Sequence, residues 1–244
     1  MPSLIASAKV LYALARIAKD PSQLEVVFSL VDTLRTDPES TARFTKVFAR
    51  PEMDAPRKAK LRTPTLVLTE LDKLPEGSFG RAAAAFFRAS NLDPGALPRT
   101  DPKTDVEWLT SHLYETHDIW HVATGFGPDV ASELGLQAFY AAQFDAPLPV
   151  AILSAGLLNS VVFTPGEGRE RIAAIARGWN MGIKAKLLLG QDWTKFLPLP
   201  LEEVRAQLGL VVDAAEDATK QAIAKEAARA PQHASIDLAQ AAAA

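Results

Sequence analysis

The chain has 244 residues, of which 48% are hydrophobic and 23% charged, so it is long enough to bury one large core. Its formal net charge of -3 leaves no basic surplus to neutralise a phosphate backbone, and we expect no nucleic-acid partner. Cysteine is absent, which excludes disulfides, thiolate chemistry and cysteine-ligated zinc, so any metal must be held by histidine and carboxylate.

The N-terminal third shows apolar residues at helical spacing, in the segments Leu4 to Ile17, Leu24 to Leu34 and Phe44 to Phe48. Alternating patterns typical of half-buried strands are hard to find, so the sequence predicts an all-α protein. Lys9 and Arg16 fall inside the first pattern, which does not resemble a secretory signal, and we expect a cytoplasmic protein. Core packing and a weak interfacial membrane helix both remain open for this segment.

Helix ends are marked by residues that favour them. Asp37-Pro38 is typical of a helix start, and Ser78 can cap a helix over residues 79–90. Residues 91–106 are rich in proline and predict an extended connection.

The middle of the chain predicts a helix hairpin. A helical pattern runs from Asp105 to about Thr124, breaks at Gly125–Pro128 and resumes to about Phe144. We therefore expect a single compact multi-helix domain that contains this hairpin.

An uncharged stretch follows, between Asp145 and Glu167. Its apolar run is shorter than the roughly 20 residues that span a bilayer, and prolines bracket it. Two interpretations stay open: a buried core helix, and the lining of a lipid tunnel or membrane-contact surface. After it, a helix is expected from Arg169 through Trp179 toward Leu189.

The C-terminal part changes in composition. Past about Val212 the chain is mostly alanine with scattered charges, which favours helix but offers no apolar stripe to bury. We predict a domain over residues 1–210 and an alanine-rich tail over residues 211–244, as a frayed helix or a disordered segment.

Three of the four histidines, His112, His117 and His121, fall within ten residues. On a helix that advances about 100° per residue, His117 and His121 project within about 40° of each other, and Asp118 lies within an arc of about 100° with them. His112 projects about 140° from His117, which predicts an ordinary packed or exposed histidine. A histidine pair at i and i+4 is the geometry of helical metal sites.

Glu133 is the natural further ligand, because it lies about one turn into the second helix and an antiparallel hairpin returns it toward His121. The sequence therefore predicts a mononuclear divalent-metal site built from His117, Asp118, His121 and Glu133. Asp118 is one methylene shorter than the glutamate of His-Glu-x-x-His zinc hydrolases, which disfavours a protease. It is a candidate to ligate directly or to orient His117.

Four further residues project near the site and are candidates for second-sphere or substrate contact: Tyr114, Asp129, Gln137 and Tyr140. For the two tyrosines, a core aromatic with a satisfied hydroxyl is the alternative. Histidine with carboxylate suits Zn²⁺, which we expect, while Fe²⁺ or another divalent ion stays open.

One segment resembles a known family. It reads HDIWHVATGFGPDVASE, the form His-Asp-x-x-His followed by eleven residues and Glu, which is similar to the signature of the coenzyme Q (ubiquinone) biosynthesis protein four family. The segments LDKLPEGSFGRAAAAFF, LQAFYAAQ and RGWNMGIKAKLLLGQDW extend the resemblance over roughly residues 20 to 210. The resemblance implies an all-helical homodimer, peripherally bound to the inner face of a membrane. It also implies that His117, Asp118, His121 and Glu133 bind a divalent metal, usually zinc.

The resemblance further implies a metal-dependent decarboxylase, a lyase that replaces the carboxyl at ring carbon one of a polyprenylated hydroxybenzoate with hydroxyl during ubiquinone biosynthesis. The uncharged stretch 146–166 would then house the prenyl tail. Other ubiquinone-biosynthesis proteins are the implied partners. Two alternatives remain: a non-catalytic lipid-binding scaffold that organises such enzymes, and a metallohydrolase.

Overall fold

The computed structural model describes residues 4–96 and 99–229, and within these ranges the fold is all-α, as the sequence predicts. In the described ranges the only β-type pairing is an isolated bridge between Ser78 and Pro200. The α-helices there are α1 Leu4–Lys19, α2 Leu24–Thr36, α3 Pro38–Thr45, α4 Asp54–Lys58, α5 Leu68–Leu71, α6 Phe79–Ala89, α7 Asp105–Thr124, α8 Val130–Gln143, α9 Pro147–Val162, α10 Gly168–Gly182, α11 Leu201–Leu208 and α12 Ala218–Arg229. The 3₁₀ turns are Lys46–Ala49, Pro51–Met53, Pro165–Glu167, Trp193–Lys195 and Ala214–Glu216.

The predicted helix starts are confirmed by their caps. Asp37 accepts a hydrogen bond from the backbone N–H of Ser40, and Ser78 accepts one from Arg81, so each satisfies an N–H that lacks an intrahelical partner. Helix α7 begins with a reciprocal capping box between Thr104 and Glu107.

Helices α1 and α2 pack with α9 in a small apolar cluster, to which α1 contributes Ala13 and Ile17. Core packing is therefore confirmed for this face of α1. The opposite face leaves Leu11 and Tyr12 exposed.

The main core lies around α6, α7 and α8 and is rich in aromatic residues. Its largest side chains with almost no solvent exposure are three tryptophans and five phenylalanines: Trp108, Trp120, Trp193, Phe79, Phe86, Phe87, Phe126 and Phe139. This core fixes the C-terminal half of α7, from which the predicted site residues project.

Helix α8 packs mainly along α10 and has only limited contact with α7. The contact is at backbone distance, because a side chain at Gly178 of α10 would overlap the carbonyl oxygen of Gly135 of α8. The predicted reversal after α7 is present, but the close partner of α8 comes from later in the chain. The assignment of the α7–α8 turn to a metal site stays a prediction.

Helix α9 is not the buried core helix that one interpretation foresaw. Its small residues Ala155 and Gly156 face inward, whereas Val161 is 76% exposed and Val162 57%. No single helix in the described ranges is long and apolar enough to cross a membrane; α9 and the segment Pro165–Gly182 meet that criterion only jointly, with a bend of 119° between them.

Helix α10 ends at Gly182, earlier than predicted. The reason is Gln143, whose side chain donates to the carbonyl of Gly182 and accepts from the N–H of Leu188 at 2.8 Å. The segment after the helix is thus held in the core as irregular chain, with Leu187, Leu188 and Leu189 buried.

Part of the predicted tail is a packed helix. Helix α12 lies against the alanine-rich α6 and buries Thr219 and Ala222, so the expectation of a frayed or disordered segment is wrong for residues 218–229. Small side chains on both helices permit this contact without a stripe of large apolar residues. Residues 230–244 lie outside the described ranges, and the division at residue 210 stays a prediction.

Candidate metal centre

Three side chains from α7 and α8 converge on one point. His117 and His121 lie one turn apart on α7, and Glu133 lies in the first turn of α8. The Nε2 atoms of the two histidines are 3.3 Å apart, and Glu133 Oε2 lies 3.2 Å from His121 Nε2 and 3.6 Å from His117 Nε2. In the described part of the chain this is the group of histidine and carboxylate ligands close enough to hold a metal ion.

These separations fit a metal. Zinc binds nitrogen and oxygen ligands at about 2.0–2.2 Å, which for a tetrahedral shell places neighbouring ligand atoms about 3.4 Å apart. The three measured separations lie around that value. The donor set suits a borderline ion such as Zn²⁺ or Fe²⁺.

In each of the three side chains, the second polar atom has its own hydrogen-bond partner. This contact leaves the other polar atom free to bind a metal. His121 Nδ1 lies 3.2 Å from the carbonyl oxygen of Phe126, which can only accept, so Nδ1 carries the proton and Nε2 keeps its lone pair. His117 Nδ1 lies 3.2 Å from the hydroxyl of Tyr140, and Gln137 Nε2 donates to Glu133 Oε1 at 2.7 Å. Such outer contacts orient metal ligands.

The charged groups of the site shift one another's pKa values. Burial, the largest single influence, lowers the pKa of His117, but the charge and hydrogen bond of Glu133 and the charge of Asp118 together outweigh it and raise this pKa above its ordinary value. Burial likewise raises the pKa of Glu133, yet the two histidines bring it well below its usual range. Burial and the charges of Glu133 and Asp118 raise the pKa of Tyr140 well above 10, so its hydroxyl stays protonated. The Glu133 carboxylate and the His117 imidazole therefore stabilise each other's charged forms.

The group is open on one side. The side chain of His121 is 5% exposed, whereas those of His117 and Glu133 are 28% and 34% exposed. The side chains of His117 and Glu133 thus form part of the protein surface, while that of His121 lies behind them. Closed structural zinc sites differ, because four protein ligands surround the ion.

Asp118 lies outside this group of three. It lines a neighbouring cleft together with Tyr114, Phe87, Leu66 and Arg99. Its charge still acts on His117 and Tyr140. A direct role for Asp118 as a ligand remains a prediction.

The other predicted residues divide into two sets. Gln137 and Tyr140 contact Glu133 and His117 directly. Tyr114 packs edge-on against Phe28. Asp129 is exposed and accepts from the N–H of Ser132 as the N-cap of α8.

His112 is a packed histidine, as predicted. It is fully buried, stacks on Trp108 and accepts the backbone N–H of Gly190 at Nε2. Burial lowers its pKa to about 4.

Sequence reasoning missed two features around the ligands. The carbonyl of Phe126 is a backbone group, and the Gly125–Pro128 break was interpreted only as a helix end and hairpin turn, without a contact to a ligand. The rings of Phe86 and Trp120 stack on His121 and Tyr140, with 6.1 and 4.4 Å between centroids. Both residues lie in apolar helical patterns, which predict a buried aromatic ring but not the side chain that it contacts.

Large apolar side chains remain exposed on the C-terminal half of α9 and on Phe163, which directly follows it. We call these residues the α9 apolar face: Leu157, Leu158, Val161, Val162 and Phe163. Exposed apolar clusters of this kind mark contact with lipid or protein.

Residues 55–213 match the family described as "Coenzyme Q (ubiquinone) biosynthesis protein Coq4". The chain is 31% identical over 156 residues to the ubiquinone biosynthesis protein coq4, mitochondrial, of Aspergillus flavus, covering 62% of this chain and 53% of that protein. It is 32% identical over 162 residues to the protein of the same name from Aspergillus niger, covering 64% and 53%. The chain thus spans about half the length of these curated relatives.

A solved structure is also similar. A protein from Nostoc punctiforme PCC 73102, assigned to ubiquinone biosynthesis, superposes with a TM-score of 0.73 at 28% sequence identity. The match covers 83% of this chain and 97% of the other. The similarity therefore extends over nearly the whole of that structure.

Proposed function

This chain belongs to the coenzyme Q (ubiquinone) biosynthesis protein Coq4 family, and from that membership we propose that it is a metal-dependent enzyme of ubiquinone biosynthesis. It binds a divalent metal, Zn²⁺ or Fe²⁺, through His117, His121 and Glu133. It replaces the ring carboxyl of a polyprenylated hydroxybenzoate with hydroxyl.

The observation that carries this proposal is that three protein ligand atoms converge in the described residues, with the side chains of His117 and Glu133 partly exposed. Catalytic metal sites keep a fourth position for substrate, whereas structural sites fill it with protein. A divalent cation held there supplies a Lewis acid that polarises a carboxylate and stabilises developing negative charge.

The chain's own residues orient the site and handle protons. The Phe126 carbonyl and the Tyr140 hydroxyl hold the two imidazoles with Nε2 directed at the ligand point. Gln137 holds the second oxygen of Glu133, which leaves Oε2 for the cation. Asp118 lines the cleft beside them. In this proposal it accepts a proton from a bound phenol or acid.

The proposed reaction exchanges the ring carboxyl group for a hydroxyl group. The bond between the ring and the carboxyl carbon breaks, a ring–oxygen bond forms, and carbon dioxide leaves. Dioxygen as oxidant supplies one oxygen atom to the ring, and its other atom leaves as water after taking two electrons and two protons from a separate two-electron reductant.

One surface supports a lipid as substrate. The cleft beside Asp118 is lined by Phe87, Tyr114 and Arg99, but it is small, and the Arg99 guanidinium already contacts Glu115 and the Thr63 carbonyl. The α9 apolar face supports peripheral association with the membrane that holds the prenyl tail. Homodimerisation and contact with other ubiquinone-biosynthesis proteins belong to the same proposal.

Elemental analysis and a turnover assay test this function. Purified protein loaded with Zn²⁺ or Fe²⁺, dioxygen and a reductant should release carbon dioxide from a prenylated hydroxybenzoate labelled in the carboxyl carbon. Glu133→Gln should abolish release without loss of helix content, whereas Asp129→Asn, at the exposed cap of the same helix, should retain it. Absence of release with every metal tested would contradict the enzyme proposal.

The α9 apolar face favours one alternative, a non-catalytic scaffold that binds prenylated lipid and organises partner enzymes. The metal would then stabilise the fold and take no part in catalysis. A metal-bound structure with four protein ligands and no open position would support the scaffold.

A further inference from the structure

The C-terminal end of α7 is held by residues from far along the chain. The last carbonyls of any helix lack intrahelical partners and need other donors. Arg205 Nε donates to the carbonyl of Ala123 at 3.0 Å and Arg205 Nη2 to that of Val122 at 3.2 Å. Thr219 Oγ1 also donates to Val122, at 3.0 Å, and the N–H of Ala218 donates to Gly125, at 3.0 Å.

Asp217 holds these donors together. Its carboxylate binds the Arg205 guanidinium in a two-point contact, with distances of 2.5 and 3.0 Å. Asp217 Oδ1 also accepts the backbone N–H groups of Thr219 and Lys220. We call Arg205, Asp217 and Thr219 the α7 clamp.

The clamp lies almost completely away from solvent. The side chains of Arg205 and Asp217 are 3% and 1% exposed. Burial of two charges is costly, and such a pair does not by itself stabilise a fold, so its role depends on the groups that it touches.

The clamp touches the turn that orients a metal ligand. Gly125 adopts a left-handed conformation with φ of 75°, and a β-carbon there would lie 3.0 Å from Asp217 Oδ1. The next residue is Phe126, whose carbonyl lies 3.2 Å from His121 Nδ1. The clamp and the imidazole contact are therefore adjacent along one tight turn.

We propose that Arg205, Asp217 and Thr219 are positioning residues for the metal centre, which fix the Gly125–Phe126 turn so that the Phe126 carbonyl holds the Nδ1–H tautomer of His121. This inference rests on the proposed function for the role of His121 as a ligand. The tautomer itself is a property of the chain and is measurable without metal.

The first experiment measures zinc affinity. The full chain is titrated with Zn²⁺ alone, in competition with a chromophoric chelator, for wild type, Arg205→Lys and Thr219→Val. Both variants should bind Zn²⁺ more weakly, on the order of tenfold for Arg205→Lys, as second-sphere changes do. Thr219→Val removes one hydroxyl and keeps the shape, so it serves where the arginine change harms folding.

Arg171→Lys is the matched control. Arg171 is also a buried arginine, 2% exposed, but it donates to Gly156, Asn159 and Ser160 of α9 rather than to α7. Its zinc affinity should stay within twofold of wild type, even where its thermal stability falls. An equal loss of affinity in Arg171→Lys would attribute the effect to stability and overturn the proposal.

The second experiment needs no metal. Nitrogen-15 NMR of histidine-labelled, chelator-treated protein at pH 8 should show His121 as the Nδ1–H tautomer in wild type and a raised Nε2–H fraction in Arg205→Lys and Thr219→Val. An unchanged tautomer in both variants would overturn the proposed role of the clamp. Tight zinc binding by wild type in that case would leave the proposed function standing. A shifted tautomer in a chain that binds no Zn²⁺ would support the clamp and reject the metal function.

Discussion

The hydroxyl of Tyr140 lies 3.2 Å from His117 Nδ1, at the opposite side of the imidazole from the nitrogen that faces Glu133. The pKa of this hydroxyl is raised well above its ordinary value, first by burial and then by neighbouring carboxylates. Tyr140 therefore stays neutral and serves the imidazole as a fixed hydrogen-bond partner.

Tyr140→Phe should weaken Zn²⁺ binding by roughly tenfold, because the imidazole of His117 loses the partner that sets its orientation. Competition with a chromophoric chelator measures this change. Tyr114→Phe is the matched control, since Tyr114 contacts Phe28 rather than a ligand. Equal affinities of Tyr140→Phe and wild type would show that the contact does not orient His117.

His112 gives a pH dependence of stability. Its pKa falls from 6.5 in the unfolded chain to about 4 in the folded protein, first through burial. The unfolded state thus binds more protons between these values, and the free energy of unfolding should fall by about 3 kcal/mol as pH drops through this window. Urea titrations at pH 7 and 4.5 measure it.

His112→Gln removes the titration and keeps an acceptor for the N–H of Gly190. The fall in stability between pH 7 and 4.5 should be smaller in this variant by an amount approaching the wild-type contribution of His112. Identical pH profiles for both proteins would refute the assignment.

Gly178→Ala should destabilise the fold by about 3 kcal/mol, because the new methyl group would overlap the backbone of Gly135 and force α8 and α10 apart. Gly168→Ala, at the start of the same helix, meets only ordinary contact at 3.8 Å and should be neutral or slightly stabilising. Chemical denaturation compares the two. Similar stability of both variants would argue against backbone contact between α8 and α10.

The double change Val161→Ser and Phe163→Ser should reduce binding to phospholipid vesicles severalfold, because it removes exposed apolar area from the α9 apolar face. Vesicle sedimentation measures the bound fraction. Val211→Ser is the control, since Val211 is also highly exposed but follows α11. Loss of binding in the control alone would place membrane contact elsewhere.

Helical periodicity and one turn signal were sufficient to predict that His117, His121 and Glu133 lie close together. An i, i+4 pair must share a face of α7, and the glycine at position 125 ends that helix in the left-handed conformation that glycine favours. Asp118 also lies within the same arc in projection. Its position in the neighbouring cleft depends on packing that a helical projection does not describe.

The sequence could not predict which side of α9 is buried, because apolar residues lie on every side of this helix and give little periodic contrast. The inward side holds the small residues Ala155 and Gly156 together with the polar Asn159 and Ser160. The same limit applies to α12, where alanines that carry no stripe pack closely on the alanines of α6.

The α7 clamp also has a consequence for synthesis. Ribosomes add about 5–20 residues per second, so the segment with His117, His121 and Glu133 is made on the order of seconds before Arg205 and Asp217. A chain truncated between these segments would carry every candidate ligand and lack the residues that hold the end of α7. Metal loading would then depend on completion of the chain, even though no ligand comes from its last part.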